Sequence, residues 1–322
     1  MPYPYFDRSK LTILPLAQRE HTMTAQDIMP LGAEVLPPDG EGLGKIASAI
    51  AKARLSDRAV VMLMGAHVIK QGLARFLIRM IEEGMITHLG TNGAGAIHDF
   101  ETAMIGSTTE SVAKYIFEGQ FGLWKETGGL NDVAVMARKE QIGFGEMLGR
   151  TIQEGDFPRK DLSIFAAGYR AKVPCTVHVA IGQDIVHEHP NCDGEAIGWA
   201  SYRDFLVFTQ SVSRLEGGVF LNYGTAVMGP EVYLKALSMV RNVARPKGED
   251  IRHFTTGVFD LAPLPDDMEK EPKKTEFAYY YRPLKTVLIR TVRDGGTSYY
   301  IRADHRHSVP NLYRMVRGEM DA

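Results

Sequence analysis

From about residue 57 onward, strand-like apolar runs alternate with stripes at helical spacing. DRAVVMLMGAH, residues 57 to 67, is a short apolar run closed by a glycine, the pattern of a strand buried on both faces. VIKQGLARFLIRMIEEGM follows with Leu73, Phe76, Leu77 and Met80 on one face and charges opposite, the pattern of an amphipathic helix. ITHLGTN returns as a strand and GAIHDFETAMIG starts the next helix. The rhythm resumes with SIFAAGYRAKV as helix, PCTVHVAIG as strand, WASYRDFLVFTQSVSRL as helix, GGVFLNYG as strand, PEVYLKALSMVRNVA as helix and HFTTGVFD as strand. KTVLIRTVRDGGTSYYIRAD reads as two β-rich runs around Asp294, Gly295 and Gly296, the turn chemistry of a hairpin. Repeated units of this kind predict an α/β fold, a Rossmann-like parallel sheet with helices on both faces.

Residues 1–45 carry Pro2, Pro4, Pro15, Pro30, Pro37 and Pro38 and are expected to form an N-terminal arm on the domain or on a neighbour. That leaves residues 46–322 as a single α/β domain, with the charged LPDDMEKEPKKTE at 264–276 as a solvated loop or lid. A chain of 322 residues, 44% hydrophobic and 24% charged, can bury a large core. Its net charge of -2 creates no field for nucleic acid or an anionic membrane, so neither is expected as a partner. Only Cys175 and Cys192 are present, no basic-then-apolar leader opens the chain, and no apolar run reaches the roughly 18 residues of a membrane span. The expected compartment is the cytoplasm.

In an open parallel sheet, ligands bind outside the carboxyl ends of the strands. Three small-residue stretches fall at such ends: MGAH at 64–67, TNGAGA at 91–96 and NYGTAV at 222–227. Small side chains there let backbone N–H groups reach phosphates, although GxGxxG is not met and glycine at strand-to-helix turns also serves packing alone. On this reading Asn92, Gly93, Ala94 and Gly95 keep the edge open for a dinucleotide, while His98 and Asp99 begin a helix and face the reacting end. The alternative is that Asp99 charges a helix start and His98 is a satisfied buried histidine. In DIVHEHPNCDGE, His187 and His189 would share one face of a strand, and Asp184, Cys192 and Asp193 could complete a metal shell. With neither HExxH nor a CxxC pair to fix geometry, no metal is assigned.

The segment from RAVVMLMGAH to HDFETAMIG, followed in order by VPCTVHVAIGQDI, LEGGVFLNYGTAV, HFTTGVFD and YYIRADHRHSVPNLY, resembles the deoxyhypusine synthase family over residues 58 to 315. The resemblance implies NAD as cofactor, a small amine such as spermidine as substrate, aminobutyl-type transfer through an imine, and a homotetramer. It places Asp184 on a substrate ammonium with His187 and Asp99 nearby. It places Gly65, Ala66, His67, Asn92, Gly93, Ala94, Gly95, Thr255, Thr256, Asp260 and Asp304 on NAD. The chain departs from the family pattern at three positions: His98 stands for a Glu, Asn222 for an active-site His, and Pro283 and Leu284 replace the Trp-Gly before the essential Lys, whose counterpart is Lys285. LAPLPDD also replaces a Gly-Ser-Asp-Ser-Gly run. The resemblance therefore implies a rebuilt pocket with His98, Asn222 and Lys285 as its catalytic groups, Lys285 holding the carbon fragment as an imine or else standing as a solvated edge residue. Two other functions compete: a metal-dependent hydrolase using His187 and His189, and a non-catalytic nucleotide-binding relative.

Overall fold

A computed structural model describes residues 3–265, 267–268 and 270–321. Six strands form one sheet, paired in parallel throughout: β1 Val60–Met64, β2 His88–Asn92, β3 Cys175–His178, β4 Val219–Tyr223, β5 Thr255–Asp260 and β6 Thr297–Arg302. Across the sheet they run β3-β2-β1-β4-β5-β6. This 3-2-1-4-5-6 order is that of the doubly wound, Rossmann-like fold, whose strand order reverses between the first and fourth strands. Helices connect them: α1 Gly42–Leu55, α2 His67–Lys70, α3 Ala74–Glu82, α4 Gly93–Ile105, α5 Val112–Glu118, α6 Gly129–Glu140, α7 Phe144–Glu154, α8 Ile164–Ala171, α9 Gly194–Val212, α10 Met228–Ala244, α11 Phe277–Tyr280 and α12 His305–Asp321. Among the described residues no helix is long and apolar enough to cross a membrane.

Strand alternation explains the two layers. Val60, Met62 and Met64 of β1 pack with the apolar faces of α1, α3 and α12, while Val61 and Leu63 face Phe208 of α9 and Tyr233 and Leu237 of α10. Both faces are covered, so β1 is apolar at every position. Asp204 of α9 shows how the sheet's edge is finished. Its carboxylate accepts from the N–H of Val177 in edge strand β3 at 2.7 Å and from Gly145 at the start of α7 at 2.9 Å. Burial raises its pKa to about 8 against those backbone donors.

Two local expectations are corrected. KTVLIRTV is not a hairpin strand. Residues Pro283–Arg290 form a π-helix that buries Leu284, Val287 and Leu288 against the α10 side of the sheet, and Thr297–Arg302 then pairs parallel with β5, Thr255 opposite Thr297 and Asp260 opposite Arg302. The apolar residues recur every three to four positions, a helical spacing hidden by β-branched composition, and Pro283 suits a helix's first turn. The second correction concerns TNGAGA, which contains no loop. β2 ends at Asn92 and α4 begins at Gly93, with Asn92 Oδ1 capping the helix through the Gly95 N–H at 3.0 Å.

The N-terminal segment lies along α4 and its neighbours. Leu14 N donates to Leu123 O at 3.1 Å, Lys125 N donates to Leu14 O at 2.9 Å, and Met23–Thr24 pairs antiparallel with Ser107–Thr108. Leu16, Met23 and Ile28 are buried. This path carries Arg19 into the interior beside Glu101.

Candidate functional site

At the reversal point the loops after β1 and β4 are laced together. The Gly65 N–H donates to Tyr223 O at 2.9 Å, and a Cβ on Gly65 would collide with the Gly224 carbonyl oxygen. Gly65 therefore serves close packing, and the open surface of this crevice begins at Ala66 and the exposed His67. On the β4 side, His305 covers Gly224 and lies 5.7 Å from the Tyr223 ring. Asn222 is fully buried, its Nδ2 donating to Thr225 O at 3.1 Å. Asn222 Oδ1 and His305 Nδ1 are buried polar atoms with no hydrogen-bond partner among the described residues, whereas Tyr223 Oη is paired with the Ser308 hydroxyl. Each of the two unpartnered atoms costs about 1–3 kcal/mol unless a ligand or water satisfies it. Asp260 closes the far side, Oδ2 accepting from Tyr281 Oη and Oδ1 from Leu261 N. Asp304 caps α12 through the Arg306 N–H at 2.8 Å.

A cavity of about 230 Å³ lies beside this crevice, between α4, Lys70 of α2 and the loop after β3. His98 and Asp184 both line it, with Glu110, Ile97 and Phe121. Asp184 stands against the N-terminus of α4, where it accepts from the Ala94 N–H, and a Cβ on Gly93 would fall inside its carboxylate. The space that Gly93 leaves is thus filled by Asp184, and that of Gly95 by Thr91; neither glycine opens onto a ligand. Burial raises Asp184 to about 6 despite that N–H, and burial also raises Glu110. Glu188 is raised by burial and by Glu110. Asp184, Glu101 and Glu110 line the cavity together with Lys70 and Arg19; Arg19 is paired with Glu101, which leaves Asp184 and Glu110 as the raised carboxylates that a bound cation would stabilise.

The chemistry of His98 follows from its neighbours. Thr108 Oγ1 donates to Glu101 Oε2 at 2.7 Å, so the 2.9 Å contact between Thr108 Oγ1 and His98 Nδ1 must be donated by the ring. His98 is held as the Nδ1–H tautomer, and its Nε2 lone pair is left for the cavity. Glu101 anchors this chain: it takes two hydrogen bonds from Arg19 at 2.8 Å and one from Thr127 at 2.6 Å. Burial pushes its carboxyl up, but the bonds and charge of Arg19 and the two threonine hydroxyls outweigh that and hold it below its ordinary value. Burial lowers His98 to about 4, partly offset by Glu101. The imidazole is neutral at physiological pH.

Other expected residues fall elsewhere. Thr255 and Thr256 open β5 at the amino-terminal edge, the opposite end from Asp260, and Thr256 Oγ1 is bound to Val287 O at 3.0 Å. They are too far from the crevice to touch a ligand there, about 3.3 Å being gained per strand residue. Asp99 is buried behind the site, accepting from Ser163 Oγ and Ile164 N at the start of α8, the helix-start role weighed for it but at a neighbouring helix. Lys285 is buried on the π-helix with Nζ 3.7 Å above the Tyr279 ring, neither a solvated edge lysine nor part of the His98 cavity. His187 and His189 lie in and after a 3-10 turn, Ile185–Glu188, rather than on a strand. His187 Nδ1 accepts from Asp184 N at 3.1 Å and His189 Nε2 bonds Gly122 O at 2.8 Å. Among the described residues no three His, Cys, Asp or Glu side chains are placed to hold a metal. Arg19, Glu101 and Glu110, which line the cavity, and Thr108, which holds the His98 ring, belong to the site without having been picked out from the sequence; Glu101 alone left a signal, one turn after His98 on the same helix face.

No family profile and no curated protein matches the chain. Several solved structures are similar in fold. An arginine dihydrolase of the cyanobacterial ornithine–ammonia cycle, ArgZ, aligns with 86% of this chain at 13% identity and a TM-score of 0.49. A conserved putative LOR/SDH protein from Methanococcus maripaludis S2 aligns with 89% of this chain at 14% identity and a TM-score of 0.47. A putative deoxyhypusine synthase from Entamoeba histolytica covers 86% at 9% identity and 0.40. The chain spans 32% of the length of the dihydrolase and 74% and 88% of the other two.

Proposed function

We propose that the chain is a nicotinamide-dinucleotide enzyme that oxidises a small aliphatic amine to an imine, which is then passed to a second amine. The observation that carries this reading is the tautomer-fixed His98, its Nε2 open to a cavity that also holds Asp184 and Glu110, beside the reversal point of a 3-2-1-4-5-6 sheet. The unpartnered Asn222 Oδ1 and His305 Nδ1 favour a polar ligand near the end of β4. Ala66, His67, Gly224, Thr225, Asp260 and Asp304 would hold the dinucleotide, and its nicotinamide would supply the hydride acceptor.

The side chains account for the remainder. Ile97 and Phe121 give methylenes an apolar wall, and Asp184 and Glu110 face the far ammonium of a diamine. His98 Nε2 takes the proton from the reacting nitrogen, whose lone pair must be free before its neighbouring C–H can be lost. A His of pKa about 4 does this only from an ammonium whose own pKa is lowered in the same dry cavity. Because Lys285 lies under Tyr279 and not in the cavity, the imine carbon passes directly from one amine to the other.

NAD at a hundred times its Kd is expected to raise Tm by several degrees, the equivalent of about 2.7 kcal/mol. An unchanged melting curve and no heat in calorimetry at millimolar NAD would remove the cofactor and this function with it. Spermidine is expected to bind above pH 6 and to weaken as pH falls through about 6. The folded pKa of Asp184 is raised, so its charge is present above that value and is lost below it. Asp184→Asn should abolish that pH step and cost on the order of 2–5 kcal/mol of amine binding, leaving NAD unaffected. Binding that rises at low pH, or an unchanged step in Asp184→Asn, would place the amine elsewhere.

A further inference from the structure

A second pocket lies between α9 and α10, apart from the His98 cavity. β3 ends at His178, whose ring stands edge-on to Phe208 at 5.4 Å. Its Nε2 is 3.0 Å from Thr176 Oγ1, which is 2.9 Å from His88 Nε2, while His88 Nδ1 is 2.8 Å from Ser211 Oγ. Thr176 has one hydroxyl proton for two ring nitrogens, so it donates to one histidine and accepts from the other. The tautomers of the two buried rings are thereby coupled. When Thr176 donates to His88, His178 Nδ1 is a bare acceptor; when it donates to His178, Nδ1 carries the proton. Burial keeps both rings neutral, each with a pKa lowered to about 3.

His178 lines a groove of about 260 Å³ whose walls include Tyr202, Phe205, Val232 and Ile181. No Asp, Glu, Lys or Arg lines it. Tyr202 and Ile181 are 61% and 63% exposed, so the walls stand uncovered. Gly198 forms part of the rim, and a Cβ there would meet nothing within 4 Å. Among the described residues nothing hydrogen-bonds His178 Nδ1.

We propose that this groove binds an uncharged nitrogen heterocycle of one or two rings, packed on Tyr202 and Phe205 and hydrogen-bonded to His178 Nδ1. Apolar walls without a counter-ion select against a charged ring, which would lose its hydration uncompensated. Aromatic walls favour a flat ligand. An imidazole that presents either a donor or an acceptor suits a ring nitrogen in either state. The adenine end of a dinucleotide and a free nucleobase-like molecule share this chemistry, and the site does not depend on the amine cavity.

Adenosine is the probe, titrated by calorimetry into the full chain and into Gly198→Leu, which fills the groove from a position where no atom is displaced. The expected result is binding to the native chain with a shifted His178 Nδ1 signal in 15N NMR, and at least about tenfold weaker binding to Gly198→Leu at unchanged Tm. If Gly198→Leu melts early, Tyr202→Ala, at an exposed position, reads the same loss. Competition by NAD, with parallel weakening of NAD in the variant, assigns the groove to a dinucleotide's adenine. Adenosine binding indifferent to NAD assigns it to a separate molecule. No adenosine binding at millimolar concentration, or equal affinity in both variants, overturns the site and leaves any NAD binding to the native chain standing on its own.

Discussion

Arg19→Met is expected to destabilise the fold by about 3–5 kcal/mol, read as a fall in the urea midpoint at neutral pH. Both partners of the Arg19–Glu101 pair are 1% exposed, so removing the guanidinium leaves a carboxylate in the interior with only Thr108 and Thr127 as donors. The cost is that of an uncompensated buried charge, not of a lost surface contact. Arg19→Met combined with Glu101→Leu should therefore recover most of the loss, because the charge that needed compensation is gone. Glu101 is held below its ordinary pKa, so its contribution is present above the unfolded value near 4.5 and fades as pH falls through the folded one. The N-terminal segment should lose amide protection in the single variant, since Arg19 is its charged anchor. A loss below about 1 kcal/mol would mean that water reaches the pair and that the segment is held by Leu16, Met23 and Ile28 alone.

The parallel sheet was legible because runs such as VVMLM are buried on both faces and need no polar position, and VFLNY carries only one, Asn222, near its carboxyl end. The strand order was not, since it depends on which crossovers pack, information that no single segment carries. The π-helix was misread for a physical reason: Thr286, Val287 and Ile289 favour extended backbone locally, and only burial of Leu284 and Leu288 against α10 overrides that preference. Glycines misled in the same way. Gly93 and Gly95 mark close approach, but of Asp184 and Thr91 rather than of a phosphate, and glycine looks alike in either case.

Of the residues singled out from the sequence, His98 and Asp184 share a cavity although they are far apart in the chain. Thr255 and Thr256 were misplaced because a motif gives a strand's residues without saying which of its ends faces the ligand. Arg19 was invisible for another reason. It sits in an irregular, proline-flanked segment with no periodicity, and its burial depends on a partner 82 residues away.

The largest functional effect is expected at His98. His98→Gln keeps a side chain that can donate to Thr108 but removes a ring nitrogen able to take a proton, so NAD-dependent oxidation of spermidine should fall by about two to four orders of magnitude in kcat. NAD and amine affinity should change little, because Asp184 and the crevice are untouched. Thr108→Val tests the positioning separately: it removes the acceptor that fixes the Nδ1–H tautomer, releases Nε2 from its aim into the cavity, and should lower kcat while leaving KM near its native value. Thr108→Ser restores the hydroxyl and should restore the rate, which a purely steric role for the threonine methyl would not do. Stopped-flow measurement of NADH formation under saturating amine reads all three variants. Full turnover in His98→Gln would remove this imidazole as the base and leave its bond to Thr108 as packing. A rate lost equally in Thr108→Val and Thr108→Ser would instead locate the effect in the shape of the Glu101 network rather than in the tautomer it selects.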